Sequence, residues 1–189
     1  MFVDEYPGVV SPELCGKIIT MFEADPDQEP TKVIVDGVTK VKGFRTGTRL
    51  RPTSAVWQPV IQDLAPAFLS TMREYVTKHA GLQHLVNSEE LTFLGPMIDR
   101  VQPGQSFDWH VDHSAALWDR VVAGLLYLNT IADGGSTEFL DQSMHVKPAA
   151  GKITLFPPYW THMHRGVTPN SETKYLISFF WCYSSAHKK

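Results

Sequence analysis

Lys174-Tyr175-Leu176-Ile177-Ser178-Phe179-Phe180-Trp181-Cys182 is the most strand-like run of the chain, dense in aromatic and branched residues. Reading back from it, short runs of the same character fall near 92–101, 106–112, 120–129, 136–140, 143–148, 152–156 and 162–167, with the closing run spanning 173–182. Pro103-Gly104, Asp133-Gly134-Gly135, Pro148-Ala149-Ala150-Gly151 and Pro157-Pro158 punctuate them. Many short strands at this spacing predict an antiparallel sandwich or barrel.

The first half reads differently. Ser11-Pro12-Glu13 is a helix start: a capping hydroxyl, proline at the first helical position, then an acid near the positive end. Leu14, Ile18, Ile19 and Phe22 follow at helical spacing until Asp25-Pro26-Asp27 stops them. A second helical pattern runs from about Ser54 to His79, and Pro66 inside it predicts a kink or a later start. Between the helices, Val33-Ile34-Val35 and Val38 flank Asp36-Gly37, a dipeptide suited to a type I′ hairpin turn. Lys32, Lys40, Lys42, Arg45, Arg49 and Arg51 make residues 32–51 basic, which reads either as a solvated face or as a cover over an anionic substrate. The expectation is α+β, with the leading helices packed against one sheet of a β-sandwich.

With 189 residues the chain is expected to form a single domain, 1–90 supporting a core at 91–183. Apolar residues at 43% and charged residues at 20% exclude a mostly disordered chain. Seventeen basic against twenty acidic residues leave a net charge of −3, so nucleic acid and anionic membrane are not expected partners. Cys15 and Cys182 form no framework of disulfides, and the opening residues lack a signal-peptide pattern, so a cytoplasmic location is expected.

The chemistry begins at Trp109-His110-Val111-Asp112. In a strand, residues two apart share a face, so His110 and Asp112 reach a common point. A third metal ligand is offered downstream by His162 or His164, themselves two apart, and alternation does not choose between them. Two histidines and a carboxylate from separate strands make the facial triad of non-haem Fe(II) oxygenases, although Zn²⁺ with a bound water uses a similar set. Lys174 lies ten residues beyond His164 in the closing strand. A cation buried there is costly unless an anion meets it, and a dicarboxylate between metal and lysine would do so.

Here the chain resembles the Fe(II)- and 2-oxoglutarate-dependent dioxygenases, specifically the prolyl 4-hydroxylase-like branch and its small bacterial and phage members. The ordered pieces are Pro103-Gly104-Gln105, His110 and Asp112, Tyr127-Leu128-Asn129, Gly134-Gly135 with Thr137 and Phe139, Gly151, Phe156-Pro157, His164 and Lys174-Tyr175. The resemblance implies a double-stranded β-helix, or jelly roll, with Fe(II) held by His110, Asp112 and His164. It selects His164 over His162, and makes Lys174 the partner of the oxoglutarate C5 carboxylate with the Tyr127 hydroxyl as a second contact. It implies O₂ as oxidant, ascorbate in a supporting role, and hydroxylation of an unactivated C–H of a peptidyl residue, amino acid or small metabolite with release of succinate and CO₂. Val101 and Phe107 stand where members often carry tyrosines, and Phe180 where many carry tryptophan. The alternatives by residue chemistry are a zinc-dependent protein and a non-catalytic cupin-like binder. His162 reads as a residue supporting the metal site or as a core histidine, and Arg165 as a substrate contact or a surface ion pair. His113 is expected on the opposite face, His79, His84, His145 and His187 at the surface, Trp109, Trp118 and Trp160 in pocket or core, and Asn129 and Thr137 near the cosubstrate.

Overall fold

The computed structural model describes residues 2–31, 33–35, 38–40, 46–88 and 90–184, with 33–35 and 38–40 described by their backbone. In chain order the elements are β1 (Asp4–Tyr6), α1 (Pro12–Ala24), β2 (Glu29–Pro30), β3 (Val33–Val35), β4 (Val38–Lys40), β5 (Thr48–Leu50), α2 (Gln58–Lys78), α3 (Ala80–Ser88) and β6 (Leu91–Val101). There follow β7 (Phe107–His110), β8 (Arg120–Tyr127), β9 (Thr137–Phe139), β10 (Met144–Val146), β11 (Ile153–Phe156), β12 (His164–Gly166) and β13 (Lys174–Tyr183). A large sheet has the order β1-β11-β8-β13-β6-β5-β2, a small one β10-β9-β12-β7, and β3 pairs with β4. Among the described residues all the pairings are antiparallel. This is the antiparallel sandwich that the strand count predicts, in the jelly-roll form that the resemblance implies.

Alternation along β13 explains how one strand serves two cores. Leu176, Phe180 and Cys182 point into the space between the sheets, joining Met97, Val101, Phe107, Phe139 and Phe156. Ile177, Phe179 and Trp181 point outward, where α1 and α2 cover them with Ile18, Phe22, Leu64, Phe68 and Met72. Each such side chain contributes about 1.5–3 kcal/mol on burial. Gly124 on β8 lies under this second core, and a β-carbon there would overlap the Phe179 ring. The helices therefore brace the back of the large sheet, as the element order predicts.

Three details refine the expectation. The second helix begins at Gln58 after a 3-10 turn at Ala55–Trp57, and it continues through Pro66 to Lys78. The N-terminal Asp4–Tyr6 adds a strand to the large sheet beside β11, a contribution too short to register as a pattern. Of the hairpin, β3 and β4 are paired as expected, but the turn at Asp36-Gly37, with Lys32, Lys42 and Arg45, lies outside the described residues. Cys15 and Cys182 are both free and buried. No helix among the described residues is long and apolar enough to cross a membrane.

Candidate active site

β7 and β12 run antiparallel with His164 directly opposite His110. Side chains so paired start about 5 Å apart at Cβ, and here the two ring centres are 4.3 Å apart. Strand alternation does not deliver Asp112, because β7 ends at His110. Instead the Asp112 N–H donates to the Pro158 carbonyl at 3.1 Å, and the Asp112 carbonyl accepts from Arg120 Nη1 at 2.9 Å. So held, Asp112 Oδ1 lies 3.8 Å from His110 Nε2 and Oδ2 lies 3.5 Å from His164 Nε2. One ligand atom from each of the three residues falls within 4.8 Å of the others.

Both imidazoles are oriented from behind. His110 Nδ1 is 2.7 Å from the Asp108 carbonyl, and His164 Nδ1 is 3.0 Å from the His162 carbonyl. A carbonyl only accepts, so Nδ1 carries the proton in each ring and Nε2 offers its lone pair to the shared point. Phe139 and Phe156 pack on the His164 ring, which fixes its plane. Two imidazole nitrogens and one carboxylate, with open space opposite, are a donor set that fits Fe(II).

The triad opens on a cavity of about 530 Å³ between the sheets, and Lys174 forms part of its wall. Lys174 shares the inward parity of Leu176 and Phe180, and it is only 3% exposed. Its Nζ donates to the Gly135 carbonyl at 2.6 Å and stands 5.3 Å from the centre of the Tyr127 ring. Gly134 and Gly135 have φ of 74° and 66°, a left-handed pair that aims this carbonyl inward at little cost. Burial lowers the Lys174 pKa from 10.5 to about 7; the Asp99 charge opposes this only in part, and no carboxylate among the described residues is hydrogen-bonded to the ammonium. A dianionic ligand reaching from the triad to Lys174 would supply the missing charge.

Residues 96–182 match the family model described as the 2OG-Fe(II) oxygenase superfamily. Those 87 of the 189 residues carry the likeness to that superfamily. The protein is an oxygenase that uses Fe(II), 2-oxoglutarate and O₂. Among solved structures, the oxygenase is similar to a viral collagen prolyl hydroxylase from Paramecium bursaria Chlorella virus-1 in its 2OG complex. That match has TM-score 0.66 and 18% identity, over 96% of each chain. A prolyl hydroxylase from Trichoplax adhaerens, in complex with a hypoxia inducible factor peptide fragment, aligns with TM-score 0.74 and 14% identity, over 99% of this chain and 87% of the other. A Pseudomonas putida prolyl-4-hydroxylase gives 0.68 and 17%, over 96% and 92%. At these identities the likeness is one of fold. No curated protein sequence matches the chain.

The remaining sequence expectations sort by position in the oxygenase. Tyr127 is wholly buried beside Lys174, and its hydroxyl donates to Thr137 Oγ1 at 2.9 Å; Thr137 lines the cavity in front of it. Burial raises the Tyr127 pKa, so the hydroxyl remains a neutral donor. Val101, Phe107 and Phe180 line the cavity as apolar walls, while Trp181 faces the helices. His162 sits in a 3-10 turn at Trp160–His162, outside the triad; its carbonyl orients His164 and its buried ring has a lowered pKa. Arg165 is on the outer face of the small sheet, bonded to Glu138 at 2.7 Å and stacked over Trp109. Trp118 and Trp160 are exposed and Trp109 lies under Arg165, so none of the three takes the pocket or core position expected of it.

Three further expectations are corrected. Asn129 does not face the cosubstrate region: its side chain clamps the start of β13, bonding the Thr173 carbonyl and the Tyr175 N–H. His113 borders the cavity and meets the Tyr159 ring edge-on, because strand alternation stops at His110 and does not carry to position 113. His79 is no free surface group; it is packed on Tyr75 and lies 2.7 Å from Asp4. His145 is exposed beside Glu138, His84 is exposed, and His187 lies outside the described residues.

The sequence reading also missed a buried ion pair. Arg49 is opposite Asp99 in the β5–β6 ladder and donates to both its oxygens at 2.7 Å, with Ser178 alongside. Arg49 and Asp99 both line the cavity, so this part of the basic stretch is a wall and not a solvated face. A signal was available: Asp99 interrupts the apolar Met97-Ile98 run, and an acid inside a central strand needs a cation.

Proposed function

We propose that the protein is a hydroxylase in which His110, Asp112 and His164 hold Fe(II) and Lys174 receives the C5 carboxylate of 2-oxoglutarate. The observation that carries this reading is the coincidence, in one cavity, of three converging ligand atoms and a buried lysine with no carboxylate hydrogen-bonded to it among the described residues. Bound there, Fe(II) and 2-oxoglutarate supply oxidising power toward an unactivated C–H, with succinate and CO₂ as co-products.

The chain's own residues have separable tasks. The Asp108 and His162 carbonyls keep both histidines in the ligating tautomer. The Gly135 carbonyl holds Lys174 Nζ in place, and Thr137, backed by Tyr127, offers a hydroxyl on the same wall. Met97, Val101, Phe107, Leu176 and Phe180 give the cavity apolar walls that exclude water from the reacting centre. The substrate is a peptidyl residue, an amino acid or a small metabolite. A zinc hydrolase or a non-catalytic binder would have no use for Lys174, whose burial is destabilising on its own.

Metal binding tests the ligand assignment directly. Calorimetric titration with Mn(II), a redox-inert surrogate, should give one site in the wild type and in His162→Ala. It should give none in His164→Ala or Asp112→Ala. Loss of the site in His162→Ala with retention in His164→Ala would reverse the assignment.

A further inference from the structure

Four cationic side chains line the cavity: Arg49, Arg51, Arg120 and Lys174. Three acids line it with them: Glu29, Asp99 and Asp112. Arg49 is consumed by Asp99 and stands opposite Glu29 in the β2–β5 ladder. Asp112 belongs to the triad, and Lys174 to the cosubstrate. Two guanidiniums are left over.

Arg120 lies beside the triad. Its Nη1 holds the Asp112 carbonyl at 2.9 Å, and its guanidinium carbon stands 3.6 Å from the centre of the Phe180 ring. Its Nε is buried with no hydrogen-bond partner among the described residues. Asp112 and Asp119 are the acids that act on it electrostatically, and Asp119 is not part of the cavity wall. Arg51, just past β5, is exposed toward the opening and forms no ion pair among the described residues. With oxoglutarate's two carboxylates taken by metal and Lys174, no carboxylate of the cavity wall forms an ion pair with Arg51 or Arg120 among the described residues.

We propose that the primary substrate presents a carboxylate to Arg120 and Arg51, an inference that rests on reading this cavity as the oxygenase site. A guanidinium's planar fork matches a carboxylate in two parallel hydrogen bonds. Arg120, packed on Phe180, is held ready for such a contact without losing side-chain freedom on binding. Arg51 at the rim steers the acid inward, an effect screened by salt. The C–H to be hydroxylated then lies on the triad side of the carboxylate, within the apolar walls.

The test uses the N-acetyl amino acids and their primary amides as matched pairs, with end-blocked peptides containing Asp or Glu as a second arm. Succinate release stimulated by each probe is followed on wild type, Arg51→Gln and Arg51→Lys. Stimulation should be confined to probes with a free carboxylate. For the best acid, Arg51→Gln should raise KM about tenfold with kcat nearly unchanged, Arg51→Lys should recover part of it, and added salt should shrink the difference. Turnover of the acidic peptides but not the free acids assigns the carboxylate to a peptide side chain and supports the proposal. An amide used as well as its acid, an unchanged KM in Arg51→Gln, or no stimulation by any acid overturns it. Anaerobic formation of the Fe(II)–oxoglutarate complex is checked in the same preparations. Its absence counts against the hydroxylase reading, and its presence with no preference for acids counts against the carboxylate alone.

Discussion

Replacing Lys174 with methionine should make the ligand-free protein more stable and the protein with oxoglutarate no better. In the unfolded chain the amine titrates near its ordinary value of 10.5; in the folded protein burial lowers this to about 7. That drop corresponds to about 5 kcal/mol against folding below pH 7. Methionine removes the penalty and keeps the volume, but it loses the bond to the Gly135 carbonyl and leaves that oxygen without its donor. Those losses return about 1–3 kcal/mol, so the net gain at pH 6 is about 2–4 kcal/mol. The sign reverses with pH. Between about 7 and 10.5 the unfolded lysine holds a proton that the native one has released, so wild-type stability rises through this window. The methionine variant lacks this rise, and its advantage should fade as pH approaches 10. Urea denaturation of the metal-free proteins at several pH values measures both curves, and repeating it with 2-oxoglutarate should stabilise only the wild type. A variant less stable than wild type at pH 6, with a parallel pH profile, would refute the argument that Lys174 is a cation waiting for an anion.

Other consequences follow from the same wall. Because the cosubstrate requires a protonated Lys174, its affinity should weaken by up to about tenfold per pH unit above 7 in anaerobic titrations, and Lys174→Met should flatten that dependence. Asp99→Ala strands the buried Arg49 cation and should cost about 3–5 kcal/mol in urea denaturation, whereas Arg49→Met with Asp99→Leu together should cost much less. Equal losses in the single and double variants would mean the pair contributes net stability and not merely mutual compensation.

What the sequence made legible depends on how local the cause is. Strands β6, β8 and β13 declare themselves because each carries eight or more residues with its own alternation, one face to the helices and one to the sandwich. That His110, Asp112, His164 and Lys174 share one cavity was legible because their residue types and spacings lie along the chain. His162 and His164 were not separable by alternation, since the region at 162–167 is not one strand: a 3-10 turn holds His162 and a three-residue strand holds His164. Arg49 and Asp99 meet only through the register of a three-residue strand against β6, fifty positions away in the chain. His79 likewise finds Asp4 across the whole N-terminal half, a contact no local pattern encodes. Asp112 reaches the cluster by a route the sequence does not display: the turn held by Pro158 and Arg120, not strand pleat, brings it in.

The most direct test of the account is an anaerobic titration of the Fe(II) protein with 2-oxoglutarate, followed through the weak visible charge-transfer band of the chelate. The account predicts a saturable band in the wild type, and in Lys174→Met a band that requires far more cosubstrate. No band in folded, iron-loaded wild-type protein would contradict the claim that the His110, Asp112, His164 and Lys174 cavity is an oxoglutarate-dependent active site.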